Sequence, residues 1–225
     1  MRIVRGRAAT PTADRDASRR ILEWVAERGE PAIRAWQPPR QVAFGRRDRN
    51  EPGYEDAVDR AEARGFPAVV RNVGGRAVAY TGTTAAFARY DPVDDPRVGI
   101  DDRYEALTSD VERALASIGV ETIRGEPPDS FCPGDHSLQA VGKVVGLAQR
   151  ITVEAAITSG VLVLDDRDEF VGVTEAVYDA LGVPFDPESV GSVASAGGDV
   201  DGALAALERE LARGRSVSEL PLRQI

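Results

Sequence analysis

Cysteine, histidine and lysine, which carry much of enzyme chemistry, each occur once in these 225 residues, as Cys132, His136 and Lys143. One cysteine excludes an internal disulfide and any metal site needing several thiolates. One histidine excludes a multi-histidine zinc centre and weakens any Ser-His-Asp proposal, so no metal is expected. No apolar run reaches the ~18 residues of a membrane span. The opening Met1-Arg-Ile-Val-Arg-Gly-Arg7 turns polar before it can form the apolar region of a signal peptide. The chain is expected to be cytoplasmic and not to engage a membrane.

Acidic residues outnumber basic ones 37 to 28, for a formal charge of −9. A surface of that sign repels phosphate backbones, so nucleic acid is not an expected partner. Every basic residue except Lys143 is arginine. Codon bias in a GC-rich genome explains this depletion, and so does salt adaptation, which would make the protein halophilic.

What is present alternates between helical and strand periodicity. Thr12 to Arg28 reads as a helix closed by Gly29. Pro31 to Trp36 and Gln41 to Gly45 read as short strands, Tyr54 to Arg64 as a helix, and Pro67 to Arg71 as a buried strand. Val78 to Tyr90 is a strand region with a turn at Thr81-Gly82. Asp101 to Ser117 places Leu107, Val111, Ala114, Leu115 and Ile118 on one helical stripe. Val144 to Arg150, Val153 to Thr158 and Val161 to Leu164 form a strand-rich block. Val173 to Leu181 and Val200 to Arg213 return to helical spacing. No repeat or low-complexity linker divides residues 1–225, which read as one α+β domain.

The three singletons fall together in Cys132-Pro-Gly-Asp-His-Ser-Leu-Gln-Ala-Val-Gly-Lys143. A lysine kept where arginine serves everywhere else suggests a compact ammonium that a planar fork cannot replace. Beside a thiol it would favour a nucleophilic sulfur and donate to an oxyanion. Each residue also has a plain reading: a small buried cysteine, a solvated lysine, a hydrogen-bonded histidine. Gly74-Gly75 is either a turn needing positive φ or a close backbone approach to a carbonyl or phosphate. It is neither a Walker loop nor a dinucleotide fingerprint.

Three segments carry a resemblance. Pro31-Ala-Ile-Arg-Ala-Trp-Gln-Pro-Pro39 with Val42-Ala-Phe-Gly45 is similar to an Arg-x-Trp-x-Pro-Pro strand. Val70-Arg-Asn-Val-Gly-Gly-Arg-Ala-Val78 is similar to a glycine-rich acyl-binding loop. Gly142-Lys-Val-Val-Gly-Leu-Ala-Gln-Arg150 is similar to a Gly-Lys-Lys-x-x-Gly-x-Ala-Gln block. In this order they resemble the biotin/lipoate protein ligase superfamily, over roughly residues 10–195. Phe131-Cys-Pro-Gly-Asp135 and Tyr178-Asp-Ala-Leu-Gly-Val-Pro-Phe-Asp-Pro187 are closest to its Cys-dependent octanoyltransferase and amidotransferase branch. Four positions depart from the pattern: Asn72, Arg76, Tyr80 and Val144. They thin the groups an adenylate phosphate would use.

The resemblance implies a central mixed β-sheet flanked by helices, with a tunnel for octanoate or lipoate. It implies Cys132 as nucleophile, Lys143 on the acyl carbonyl, and Arg71, Gly74, Gly75, Arg76, Tyr80, Gly142, Gly146 and Ala148 around the substrate. An acyl carrier protein or a glycine-cleavage H protein would be the donor. A lysine on the lipoyl domain of a 2-oxoacid dehydrogenase E2 would be the acceptor, with no cofactor. The alternative is a lipoate–protein ligase using ATP and Mg through a lipoyl-adenylate, with Cys132 incidental. His136 is open to a proton-relay role as well as a structural one.

Overall fold

The computed structural model describes residues 1–71 and 75–225. Its elements run β1 (Arg2–Arg5), α1 (Pro11–Arg28), β2 (Ala32–Trp36), β3 (Gln41–Phe44), α2 (Tyr54–Ala63), β4 (Ala68–Val70), β5 (Val78–Tyr80) and β6 (Thr84–Pro92). Then come α3 (Ile100–Ser117), β7 (Ile123–Arg124), β8 (Ser137–Ala140), β9 (Gly142–Ile151), β10 (Ala155–Val163), α4 (Arg167–Leu181), α5 (Ala203–Leu211) and β11 (Ser218–Pro221).

Local chemistry sets the ends of α1. The Thr10 side chain accepts the Ala13 N–H at the start, and Gly29, at φ 64°, returns its N–H to the Val25 carbonyl at the close. Between these caps, Ala17, Ile21, Leu22 and Val25 share one buried face.

The strands divide into two sheets. The larger has the order β11-β1-β2-β6-β10-β9-β8-β7. Strand β1 is parallel to both neighbours and the remaining pairs are antiparallel, so the sheet is mixed, as expected. Strands β4-β3-β5 pair among themselves as a second, three-stranded sheet, which the strand pattern alone did not separate.

Alternation along β6 and β10 sends side chains to opposite faces. Ala85, Phe87 and Leu162 join the core beneath α3 and α5. Ala88, Tyr90 and Ala155 meet α1, while Val161 and Val163 join the cluster of the small sheet with α2 and α4. The larger sheet therefore faces α3 and α5 on one side, and α1 with the small sheet on the other.

Candidate active site

A cavity of about 550 Å³ lies between the two sheets. Its large-sheet side is formed by Ala86, Gly146, Ala148, Ile157, Ser159 and Val161, and its small-sheet side by Ala43, Val69, Val70, Val78 and Tyr80. Glycine and alanine at inward-facing strand positions leave the space that larger side chains would fill. The exposed Arg15, Arg19 and Arg49 and the half-buried Arg150 also border it.

Cys132 reaches this cavity from the loop between β7 and β8. Its φ is 42°, a left-handed conformation that costs a non-glycine residue about 1–2 kcal/mol. The loop is held from both sides. The Cys132 N–H donates to Tyr178 Oη at 2.6 Å, and that hydroxyl donates to the Ala77 carbonyl at 3.0 Å. Phe131 is buried, edge-on to Phe170 at 4.9 Å between ring centroids.

Arg71 Nη2 donates to Cys132 Sγ at 3.1 Å and to the Arg76 carbonyl at 2.6 Å. Gly75 makes this approach possible. At φ 90° it sits so close that an added Cβ would lie 2.6 Å from the sulfur. The cation hydrogen-bonded to the thiol is thus an arginine that follows the end of β4.

Lys143 is fully buried, 0% exposed. Its Nζ donates to Glu126 Oε2 at 2.5 Å, the Phe131 carbonyl at 2.8 Å and the Cys132 carbonyl at 3.0 Å. Three acceptors converge on a single nitrogen, which suits a compact ammonium better than the spread nitrogens of a planar guanidinium. Burial pushes the Lys143 amine below its usual value, and the Glu126 carboxylate opposes that shift. Glu126 also accepts from the Gly134 N–H at 3.0 Å and from Ser137 Oγ at 2.8 Å.

The sequence-derived site residues therefore separate into groups. Arg71, Tyr80, Gly146 and Ala148 join Cys132 on the cavity wall. Arg76 turns away to an ion-paired cluster with Asp48 and Glu51. Gly142 packs on backbone instead: an added Cβ would meet Gly191 N at 2.6 Å. Gly74 lies outside the described residues. His136 stacks its ring on Tyr104 at 3.9 Å. Burial raises the Tyr80 phenol, while Arg71 lowers it. Among the described residues no group of His, Cys, Asp and Glu is arranged to hold a metal ion. No helix among them is long and apolar enough to cross a membrane.

Glu126 is not singled out by sequence reasoning, which names Tyr178 only as the first residue of the resemblance over 178–187, without a role. Glu126 is one carboxylate among 37 acidic residues, in a loop with no periodicity. Tyr178 shares a helical face with the buried Val177 and Leu181 and reads as core.

Residues 12–199 match the family profile described as the lipoyl protein ligase A/B catalytic domain. An octanoyl-[GcvH]:protein N-octanoyltransferase of Exiguobacterium sibiricum is 34% identical over 120 residues, covering 53% of this chain and 44% of that protein. Its counterpart in Geobacillus kaustophilus is 30% identical over 126 residues, covering 56% and 44%. The matches thus span under half of those relatives' length. A crystal structure of lipoate-protein ligase A bound with ATP superposes with a TM-score of 0.78 at 19% identity, covering 98% of this chain and 88% of that one. A putative lipoate protein ligase from T. acidophilum with bound lipoic acid gives 0.74 at 18% identity, with the same coverage. At such identities the likeness establishes the fold. With most of its length matched by the family profile, the chain belongs to the lipoyl protein ligase A/B catalytic domain family.

Proposed function

We propose that this chain transfers an octanoyl or lipoyl group to a lysine of a lipoyl domain through a thioester on Cys132. The observation that carries the reading is the placement of one sulfur, on the wall of a cavity of about 550 Å³ and 3.1 Å from Arg71. That volume lies within the ~300–1,000 Å³ of small-molecule sites. Its alanine, glycine and valine lining suits a saturated chain.

The sulfur attacks the acyl carbonyl carbon. A carbon–sulfur bond forms, the bond to the donor's leaving atom breaks, and the thiol proton departs with the donor. A neutral acceptor lysine then attacks the thioester, a carbon–nitrogen bond forms, and the carbon–sulfur bond breaks. The proton released by the amine restores the thiol. Arg71 lies where negative charge gathers on the departing sulfur. Lys143 acts through the loop rather than on the acyl oxygen, because its three hydrogens already have three acceptors.

The relatives' printed names favour a glycine-cleavage H protein over an acyl carrier protein as donor. The acceptor is then a lipoyl domain, that of a 2-oxoacid dehydrogenase E2 being the expected case. The acyl group passes between carriers in the cytoplasm without a cofactor. An ATP- and Mg-dependent ligase would instead release pyrophosphate and leave Cys132 unmodified.

Intact-mass spectrometry tests the choice. The enzyme is incubated with octanoyl-H protein, octanoyl-carrier protein, or lipoate plus ATP. One octanoyl adduct is expected on the parent and none on Cys132→Ala. Transfer by Cys132→Ala at the parent's rate would reject the covalent route.

A further inference from the structure

Cys132 adopts a positive φ of 42°, and the same loop holds Asp129 at 52°. An aspartate tolerates this region because its short polar side chain can bond locally, whereas a cysteine has no such local support. What keeps Cys132 there must come from its surroundings.

Both peptide groups flanking Cys132 are held. Its N–H is taken by Tyr178 Oη at 2.6 Å, and its carbonyl by Lys143 Nζ at 3.0 Å. Tyr178 in turn donates to the Ala77 carbonyl, just before β5 and six positions after Arg71. One hydroxyl therefore joins the cysteine to the segment that carries its guanidinium partner. On the other side, Glu126 fixes Lys143 and also receives the Gly134 N–H and Ser137 Oγ. Its two oxygens thus tie down both ends of the turn that follows the nucleophile.

The geometry points to Tyr178 and Glu126 as positioning residues that hold Cys132 in its left-handed conformation with the sulfur against Arg71; this rests on the acyl-Cys132 reading. Without the hydroxyl, Cys132 relaxes toward negative φ and the sulfur leaves the guanidinium. Neither residue lines the cavity, so their loss acts on the rate of sulfur attack rather than on acyl binding.

Tyr178→Phe in the full chain is the test, because it keeps the buried ring beside Phe185 and removes only the oxygen. Single-turnover acylation from octanoyl-H protein is expected to slow about 10- to 100-fold, as displacements of about 1 Å do, with the donor KM within about twofold. The second readout needs no acyl donor. Arg71 draws anionic iodoacetate toward the sulfur, so the ratio of alkylation by iodoacetate to that by iodoacetamide exceeds that of free cysteine in the parent. It falls to the free value in the variant, and a purely structural role would leave it unchanged. Glu126→Asp keeps the charge but shortens the reach. It is expected to move both readouts the same way, and it carries the test if Tyr178→Phe does not fold. Parent-like acylation and an unchanged ratio in the folded variants would overturn the assignment. A parent that is never acylated by any donor defeats the functional reading, while the alkylation ratio still decides the clamp.

Discussion

The guanidinium of Arg71 donates to the sulfur of Cys132 at 3.1 Å, across a gap kept open because residue 75 is glycine. This contact links a strand end of the small sheet to a loop of the large one, so the proposed acyl site exists only when both sheets are in place. Replacing Arg71 by Ala is expected to lower the acylation rate about 100-fold, the usual loss for one well-placed charge-stabilising donor. Stopped-flow measurement of thioester formation checks it. A loss under threefold would place the important cation elsewhere.

Gly146 lies on the cavity wall, where an added Cβ would sit 3.5 Å from Lys143 Cε and 3.9 Å from Val161 Cγ1. These are ordinary contacts, so a side chain is tolerated there and takes volume from the cavity. Gly146→Val is expected to shift preference toward acyl chains shorter than octanoyl, at about 0.8 kcal/mol for each methylene that no longer fits. Competition among acyl donors of graded length measures this. An unchanged chain-length profile would mean that the acyl group lies elsewhere.

The buried Lys143 is expected to be expensive to remove. With Glu126 only 19% exposed, Lys143→Met leaves a largely buried carboxylate without its cation, held only by the Gly134 N–H and Ser137 Oγ, and should cost about 3 kcal/mol in urea unfolding. Adding Glu126→Gln should recover part of that loss, which gives the pair a measurable coupling. Strict additivity of the two substitutions would contradict the ion pair.

Much of the architecture was legible because it is local. Gly29 closes α1, and Gly82, at φ 95°, makes the turn between β5 and β6. Both could be read from spacing and turn chemistry. Strand β1 could not, since Arg2-Ile-Val-Arg5 finds its partner in Ser218–Pro221 at the other end of the chain. At the site, sequence brought out Cys132, Lys143 and Arg71 as chemical types. It could not give the direction of a side chain. A bulge between Leu138 and Gln139 changes the register of β8 on β9 beside Lys143, and the ammonium turns to the backbone of the cysteine loop. Tyr178 bonds only main chain, and Glu126 bonds one main-chain N–H with the Lys143 and Ser137 side chains; such long-range contacts leave no signature in residue pattern.

Alkaline pH offers a separate test of the core. Burial pushes the Tyr90 phenol from 10.0 up to about 12, and Arg34 opposes it. The folded state then holds its proton where the unfolded chain has lost it. That contribution to stability is fully present below pH 10 and is lost as pH rises through about 12, a span worth roughly 2–3 kcal/mol. Tyr90→Phe should flatten that share of the fall in urea-unfolding free energy between pH 10 and 12. An equally steep fall in the variant would assign the loss to other groups.

Salt addresses the charge pattern directly. The chain carries −9, and under the halophilic reading an acidic donor is repelled until screening shortens to about 3 Å at 1 M. At the cavity edge Arg15 and Arg19 pair with Asp16 and Glu23, whereas Arg49 and Arg150 have no ion pair among the described residues, so they are the local attraction against that long-range repulsion. Transfer from octanoyl-H protein is therefore expected to rise roughly tenfold between 0.1 and 1 M KCl. Arg49→Glu with Arg150→Glu should steepen the rise, because the variant starts from stronger repulsion. A neutral small-molecule octanoyl thioester should show little dependence on either change. Rates that fall with added salt for the protein donor would remove the halophilic reading and leave codon bias as the source of the missing lysines.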